Sequence, residues 1–285
     1  MNKIVNQKFD EERTLYRSNN LILENCVFDG VADGESALKE SSDIEVYDCF
    51  FNLRYPFWHD RNIKIVDTVM TEFCRAALWY SEHIEIINTN LHGIKALREC
   101  SDVVISGSDI ISPEFGWSVD KITMKNCTAE SEYFMMRSRD IIFRNVHFRG
   151  KYSFQYIEDA VFDECVLDTK DAFWHGRNIT VRNSIVKGEY LAWYSDGLTF
   201  ENCKIIGTQP FCWCKKLKLV NCEMIDTDLS FEKSEVQAEI INHIESIKNP
   251  VSGKITVPSA DEIIMDEDDA KCEVILTNNE KCDII

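Results

Sequence analysis

Ile122-Thr123-Met124-Lys125-Asn126-Cys127 is followed, nineteen residues later, by Ile141-Ile142-Phe143-Arg144-Asn145-Val146. Aligned on its first apolar residue, the same phrase starts at Leu21, Ile44, Ile63, Ile84, Val103, Ile122, Ile141, Ala160, Ile179, Leu198 and Leu217. The spacings are 23, 19 and 21, and then 19 seven times in succession. A period of this size marks a stacked repeat architecture.

The columns of the repeat carry local structure. Positions 1 and 3 are apolar throughout, and position 2 is polar in Glu45, Lys64, Glu85, Thr123, Thr180 and Lys218. Period-two alternation predicts a strand there. Position 5 is almost always Asn, Asp or Gly (Asn25, Asp48, Gly107, Asn126, Asn202), residues that tolerate the left-handed region, so each repeat is expected to bend at this point. Position 6 is small, position 8 is apolar again, and position 14 supplies Phe57, Leu97, Met135, Phe154, Phe173 and Phe211. No single repeat can bury this set of residues. Stacked about 4.8 Å apart, the repeats form a continuous core.

The expected fold is all-β: a single-stranded right-handed parallel β-helix, a solenoid of about 19 residues per coil. Leucine-rich repeats fit poorly, because the second half of this repeat is aromatic and charged. Hexapeptide coils favour about 18 residues per turn and pentapeptide coils about 20, and neither accommodates insertions of this kind well. The asparagine column should form a ladder of side-chain hydrogen bonds.

One elongated domain is expected. Residues 1–20 read as an imperfect capping coil, with Asn6, Phe9 and Leu15 in the asparagine, position 8 and position 14 columns. Regular coils run from 21 to 235. Residues 236–285 read as modified terminal coils with an acidic cap: the coils occupy 236–264, and Val236, Ile255 and Val274 keep the 19-residue spacing. An acidic run follows at Asp266-Glu267-Asp268-Asp269, expected to be a solvated cap or loop.

The net charge of −18 excludes a nucleic-acid partner and an anionic membrane surface. It also disfavours polyuronates unless a cation bridges them. The first ten residues contain no apolar signal region, and no stretch reaches about 18 apolar residues. A cytoplasmic location is expected. Six of the 12 cysteines fall at position 6. There they read as small core residues, reduced in such a compartment, although Cys26/Cys49 and Cys203/Cys222 are close enough in the stack for a disulfide. No cysteine spacing matches a zinc pattern, so neither a metal nor a cofactor is expected.

Chemistry, if present, belongs to the second half of the repeat. Position 15 includes Trp58, Trp79, Trp117, Trp174 and Trp193; position 16 includes His59, Tyr80, Glu99, Arg137, Tyr156, His175, Tyr194 and Trp213. Two phrases nearly duplicate each other, Phe57-Trp58-His59-Asp60-Arg61-Asn62 and Phe173-Trp174-His175-Gly176-Arg177-Asn178. Position 16 shares the parity of buried position 14 but is polar, so either a bend turns it outward or the parity fails. The polar column is the one expected outside. The candidate catalytic residues are then Glu99, Arg137, Glu158, His175 and Arg177, a row of acids, cations and imidazole suited to glycosidic acid/base work. The candidate ligand-binding residues are Trp58, His59, Tyr80, Arg139, Tyr156, Trp174, Tyr194 and Trp213, rings and a cation on which a linear oligosaccharide could lie. The plain alternative is a set of solvent-exposed ladders. Position 18 alternates in sign through Arg139, Glu158, Arg177, Asp196 and Lys215, as such ladders require. A regular face of this kind would equally serve a protein partner or a second copy of the chain.

The repeated phrase, together with Phe9-Asp10-Glu11-Glu12-Arg13-Thr14-Leu15, Leu38-Lys39-Glu40-Ser41-Ser42-Asp43 and Lys248-Asn249-Pro250-Val251-Ser252-Gly253, resembles the bacterial family of unknown function DUF3737 over essentially the full length. That resemblance implies a right-handed helix of the pectin-lyase kind and carries no activity with it. The Asn-Thr-Asp, Gly-His-Gly and Arg-Ile-Lys motifs of polygalacturonases do not occur, and no acidic cluster of the pectate-lyase kind is evident. If the chain is an enzyme, it would be a polysaccharide lyase or glycoside hydrolase; otherwise it is a binding or interaction scaffold.

Overall fold

The computed structural model describes residues 2–31, 34–278 and, as backbone, 283–284. The expectations for the two ends therefore lie outside the described residues at Met1, 279–282 and 285. All the regular structure described is β-strand, paired in parallel, and the chain is a right-handed parallel β-helix. It divides into two compact units, residues 1–142 and 143–285.

In the first unit the position 1 column is intact in the pairing register: Asn2 lies opposite Leu21, Leu21 opposite Ile44, Ile44 opposite Ile63, Ile63 opposite Ile84, Ile84 opposite Val103 and Val103 opposite Ile122. The imperfect first coil is thus a true coil. Phe9 stands opposite Phe28, their rings stacked at 5.0 Å, and Phe28 stacks on Phe51 at 4.4 Å. In the second unit Ala160 lies opposite Ile179, Ile179 opposite Leu198, and Phe200 opposite Leu219.

The expected bend at position 5 is present in every regular coil. Asn25, Asp48, Asn88, Gly107, Asn126, Asn202 and Asn221 all have φ between 49° and 59°. The ladder is present too: Asn25 donates to Asn6 (2.6 Å), Asn202 to Asn183 (3.2 Å) and Asn221 to Asn202 (2.8 Å).

Position 6 is more than small. Its hydroxyl or thiol donates to the carbonyl two residues back, as in Thr89 to Ile87 (2.9 Å) and Cys49 to Tyr47 (3.2 Å). It also accepts the position 6 N–H of the preceding coil, as Ser108 does from Thr89 (3.0 Å) and Ser184 from Cys165 (2.9 Å). Ser, Thr and Cys are interchangeable there because each can donate and accept at a site with no room for more. Every cysteine among the described residues is buried and free, Cys26/Cys49 and Cys203/Cys222 included.

The terminal coils depart from the expected register. Val236 pairs with Gly253 and Ala238 with Ile255, so the coil between them is two residues short. The 19-residue spacing from Val236 to Ile255 is therefore not a stacking register, whereas Ile255 does lie opposite Val274. Gly253 makes the short coil feasible: at φ 102° a Cβ would lie 1.9 Å from the carbonyl oxygen of Val236. The acidic run is tied to the coil beside it. Lys233 Nζ contacts Glu267 and lies 2.8 Å from Asp269, and these carboxylates push its pKa up to about 12.

Candidate functional site

A second left-handed bend decides the orientation of the polar columns. Position 16 has positive φ in every regular coil, including His59 (59°), Tyr80 (59°), Glu99 (49°), Arg137 (58°), Tyr156 (57°), His175 (56°), Tyr194 (61°) and Trp213 (55°). Such a backbone costs roughly 1 kcal/mol for residues of this kind. The bend is held by N–H groups that donate to the position 15 carbonyl of the next coil, as in His59 to Trp79 (2.9 Å), Tyr156 to Trp174 (2.8 Å) and His175 to Trp193 (3.0 Å). Buried position 14 and exposed position 16 therefore coexist despite equal parity, and the polar column is the exposed one, as expected.

Position 15 is half-buried. Each tryptophan is tied through its indole N–H to a backbone carbonyl of the next coil: Trp58 to Ala76 (2.6 Å), Trp79 to Lys95 (2.7 Å), Trp174 to Tyr190 (2.6 Å) and Trp193 to Gln209 (2.8 Å). Gln155 replaces the indole in the same role, donating to the Asp171 carbonyl (3.1 Å). The rings also stack on one another, Trp58 on Trp79 at 5.1 Å and Trp174 on Trp193 at 5.3 Å. Arg98 lies between the rings of Trp79 and Trp117, 5.2 and 5.1 Å from their centroids. Trp58 and Trp174 are thus latches between coils, with only part of each ring facing solvent. The sequence does not reveal this, because the acceptor is a backbone carbonyl rather than a patterned side chain.

In the first unit the exposed corner carries His59 stacked on Tyr80 (4.8 Å, 14°), then Glu99, Ser118 and Arg137 in successive coils. Glu99 lies 3.4 Å from Arg98 Nε, and Arg139 pairs with Asp120 at 2.5 Å. In the second unit the corner is a run of four rings. Tyr156 stacks on His175 (4.8 Å, 11°), His175 on Tyr194 (5.2 Å, 10°) and Tyr194 on Trp213 (5.1 Å, 16°). His175 and Tyr194 have both faces covered, so their edges rather than their faces meet solvent. Beside the run, Arg177 pairs with Glu158 (3.4 Å) and Asp196 with Lys216 (3.6 Å). Of the candidate acids and cations, Glu158 and Arg177 pair with each other, and Glu99 and Arg139 pair with charged neighbours on the same face, the arrangement that alternating ladders produce.

One residue of the duplicated phrase behaves differently. Position 17 is a buried column, mostly of hydroxyl or thiol residues (Ser41, Ser81, Cys100, Ser138, Ser195, Cys214, Ser234) with Val119 and Ile157 among them, and Asp60 occupies it at 1 % exposure. Its Oδ1 accepts the Ser41 N–H at 2.9 Å, the bond a serine would make elsewhere, and its Oδ2 is left without a partner. Burial pushes its pKa up to about 8. A single Asp in a column that is otherwise uncharged is a signal already legible in the sequence.

Among the described residues no group of three His, Cys, Asp or Glu is placed to hold a metal. The Cys212 and Cys214 thiols point to backbone carbonyls, Cys214 to Ala192 at 3.0 Å, and burial pushes both up to about 12. Among the described residues no helix is long and apolar enough to cross a membrane.

A family model described as "Protein of unknown function (DUF3737)" matches residues 2–277. No curated protein matches the chain. Among solved structures, it is similar to the A-module of a mannuronan C-5 epimerase from Azotobacter vinelandii, at 9% identity over 84% of this chain and 88% of that one, with a TM-score of 0.34. It is also similar to the catalytic domain of a GH87 alpha-1,3-glucanase (11% identity, 79% of this chain, TM-score 0.34) and to a surface adhesin of Streptococcus pneumoniae (11%, 80% of this chain, TM-score 0.32). The chain spans 55% of the glucanase domain and 61% of the adhesin. Likeness at this level carries no argument about activity.

Proposed function

The chain belongs to the DUF3737 family, and we propose that it is a binding protein whose aromatic strip in the second unit holds a linear saccharide without cleaving it. The observation that carries this reading is the exposed run Tyr156, His175, Tyr194, Trp213, repeated at coil spacing and flanked by charges. A polymer running along the strip would meet one ring edge per coil. The phenol, imidazole and indole groups supply hydrogen bonds to hydroxyls, and the ring edges supply apolar contact. Cleavage is not part of the reading. Glu158 is paired with Arg177, and His175 is held between two phenol rings. A general acid needs a carboxyl poised to give up a proton to the leaving group. The free thiols of the described core suit a reducing compartment, and we place the protein in the cytoplasm on that ground.

The test is titration of tryptophan fluorescence with neutral and acidic oligosaccharides, with and without calcium. A saturable shift that Tyr194→Ala and His175→Ala abolish, each variant still folded at the temperature of the titration, is the expected result. A flat response across the panel overturns the saccharide reading. The covered faces of His175 and Tyr194 favour a second reading, a flat protein partner or a second copy, since Tyr, Trp and Arg are the residues that anchor such interfaces. Concentration-dependent mass that Trp213→Ala reduces would select it.

A further inference from the structure

The two irregular coils of the first unit build a concavity. The coil beginning at Leu21 has 23 residues and the coil beginning at Ile63 has 21, while the coil between them has 19. The 19-residue coil lines it with Asn52, Leu53 and Arg54, the first long coil with Asp29 and Gly30, and the second with a wall of Glu72, Phe73 and Arg75. The result is an open groove of about 530 Å³, which Ile94 also lines.

The wall is held in place. Cys74 N–H donates to Thr71 O (3.0 Å), Phe73 N–H to Thr71 Oγ1 (3.3 Å) and Tyr55 N–H to Arg75 O (3.1 Å). It sits so closely on the next coil that a Cβ on Gly93 would lie 2.1 Å from the Cys74 carbonyl oxygen. Phe73 is nonetheless 63% exposed, the most exposed aromatic ring of the described chain. A large ring held outward on a fixed loop has given up burial that a flexible loop would recover.

The charges of the lining differ in their engagement. Asp29 accepts from Asn52 (2.8 Å), and Arg54 pairs with Glu35 (3.3 Å). Arg75 and Glu72 are exposed, and neither has an ion-pair partner among the described residues. The groove therefore offers one uncommitted cation and one uncommitted anion beside an apolar surface of Leu53, Phe73 and Ile94. We propose that it binds a free α-amino acid with a large apolar side chain. The ligand carboxylate would meet Arg75, its ammonium Glu72, and its side chain the Phe73 ring. This site does not depend on the saccharide reading and lies on other residues.

The test uses the full chain and three probes in titration calorimetry: L-phenylalanine, phenylalaninamide and N-acetyl-L-phenylalanine. L-phenylalanine should bind saturably, and each capped analogue should bind at least tenfold more weakly. Arg75→Ala should erase the preference over the amide, Glu72→Gln the preference over the N-acetyl form, and Phe73→Ser should weaken all three. These side chains are exposed, so the variants keep the thermal midpoint of the parent. The proposal is overturned if L-phenylalanine shows no saturable binding at millimolar concentration, if the three probes bind equally, or if the Arg75 and Glu72 variants leave the preferences intact.

Discussion

The imidazole of His175 lies 4.8 Å from the ring of Tyr156, centroid to centroid, and 11° from parallel to it, with Tyr194 covering its other face at 5.2 Å. An imidazole held this way cannot swing toward a substrate without breaking two stacks. Each such contact contributes on the order of 1 kcal/mol. Removing an inner ring should therefore loosen the strip more than removing either end. His175→Ala should lower unfolding free energy by roughly 1–2 kcal/mol in urea. An equal or smaller loss than that of Tyr156→Ala would count against mutual stacking as the source.

The indole latches make a separate prediction. Trp174→Phe keeps a ring against Trp193 but leaves the Tyr190 carbonyl without its 2.6 Å donor. The expected cost is about 1–2 kcal/mol, read from the urea midpoint at constant slope. Arg177→Ala, which removes an exposed pair with Glu158, should cost less than about 1 kcal/mol and less still in high salt.

Asp60 governs a pH dependence. Its folded pKa of about 8 lies above the ordinary carboxyl value, so the native state binds this proton more tightly than the unfolded state. That contribution is complete below about pH 4, the unfolded value, and is lost as pH rises through the folded value. Wild-type stability should fall between about pH 4 and pH 8 relative to Asp60→Ser. The variant should also be more stable at neutral pH by about 1–3 kcal/mol, since serine makes the Ser41 bond and leaves no unpaired oxygen. A stability difference that does not change across this range would show that Asp60 is not the titrating group.

The thiols should be inert in the folded protein. Burial pushes Cys49, Cys100, Cys212 and Cys214 up to about 12. Iodoacetamide at neutral pH should leave all four unmodified by mass spectrometry and should alkylate them in urea, because the thiolate is the reactive form. Rapid labelling of Cys212 or Cys214 in native protein would mean that this corner opens locally.

By itself, the amino-acid sequence determined the fold and its register. Both depend on periods: apolar residues at positions 1 and 3, asparagine at position 5 and a small donor-acceptor at position 6 recur where each coil needs them. Asn6 and Phe9 of the first coil keep their columns for the same reason. What only the tertiary structure decided lies where period and contact part. The outward turn of position 16 follows from a left-handed backbone adopted by Tyr, His and Arg, none of which advertises it. The short coil from Val236 to Gly253 follows from a close approach that only glycine allows. The tryptophan latches, the unpaired oxygen of Asp60 and the groove beneath Phe73 depend on which backbone atoms and loops the next coil brings alongside. A side-chain pattern records what faces the core. It does not record the carbonyl one coil away or the gap between a long coil and a short one, because those arise only when the coils are stacked.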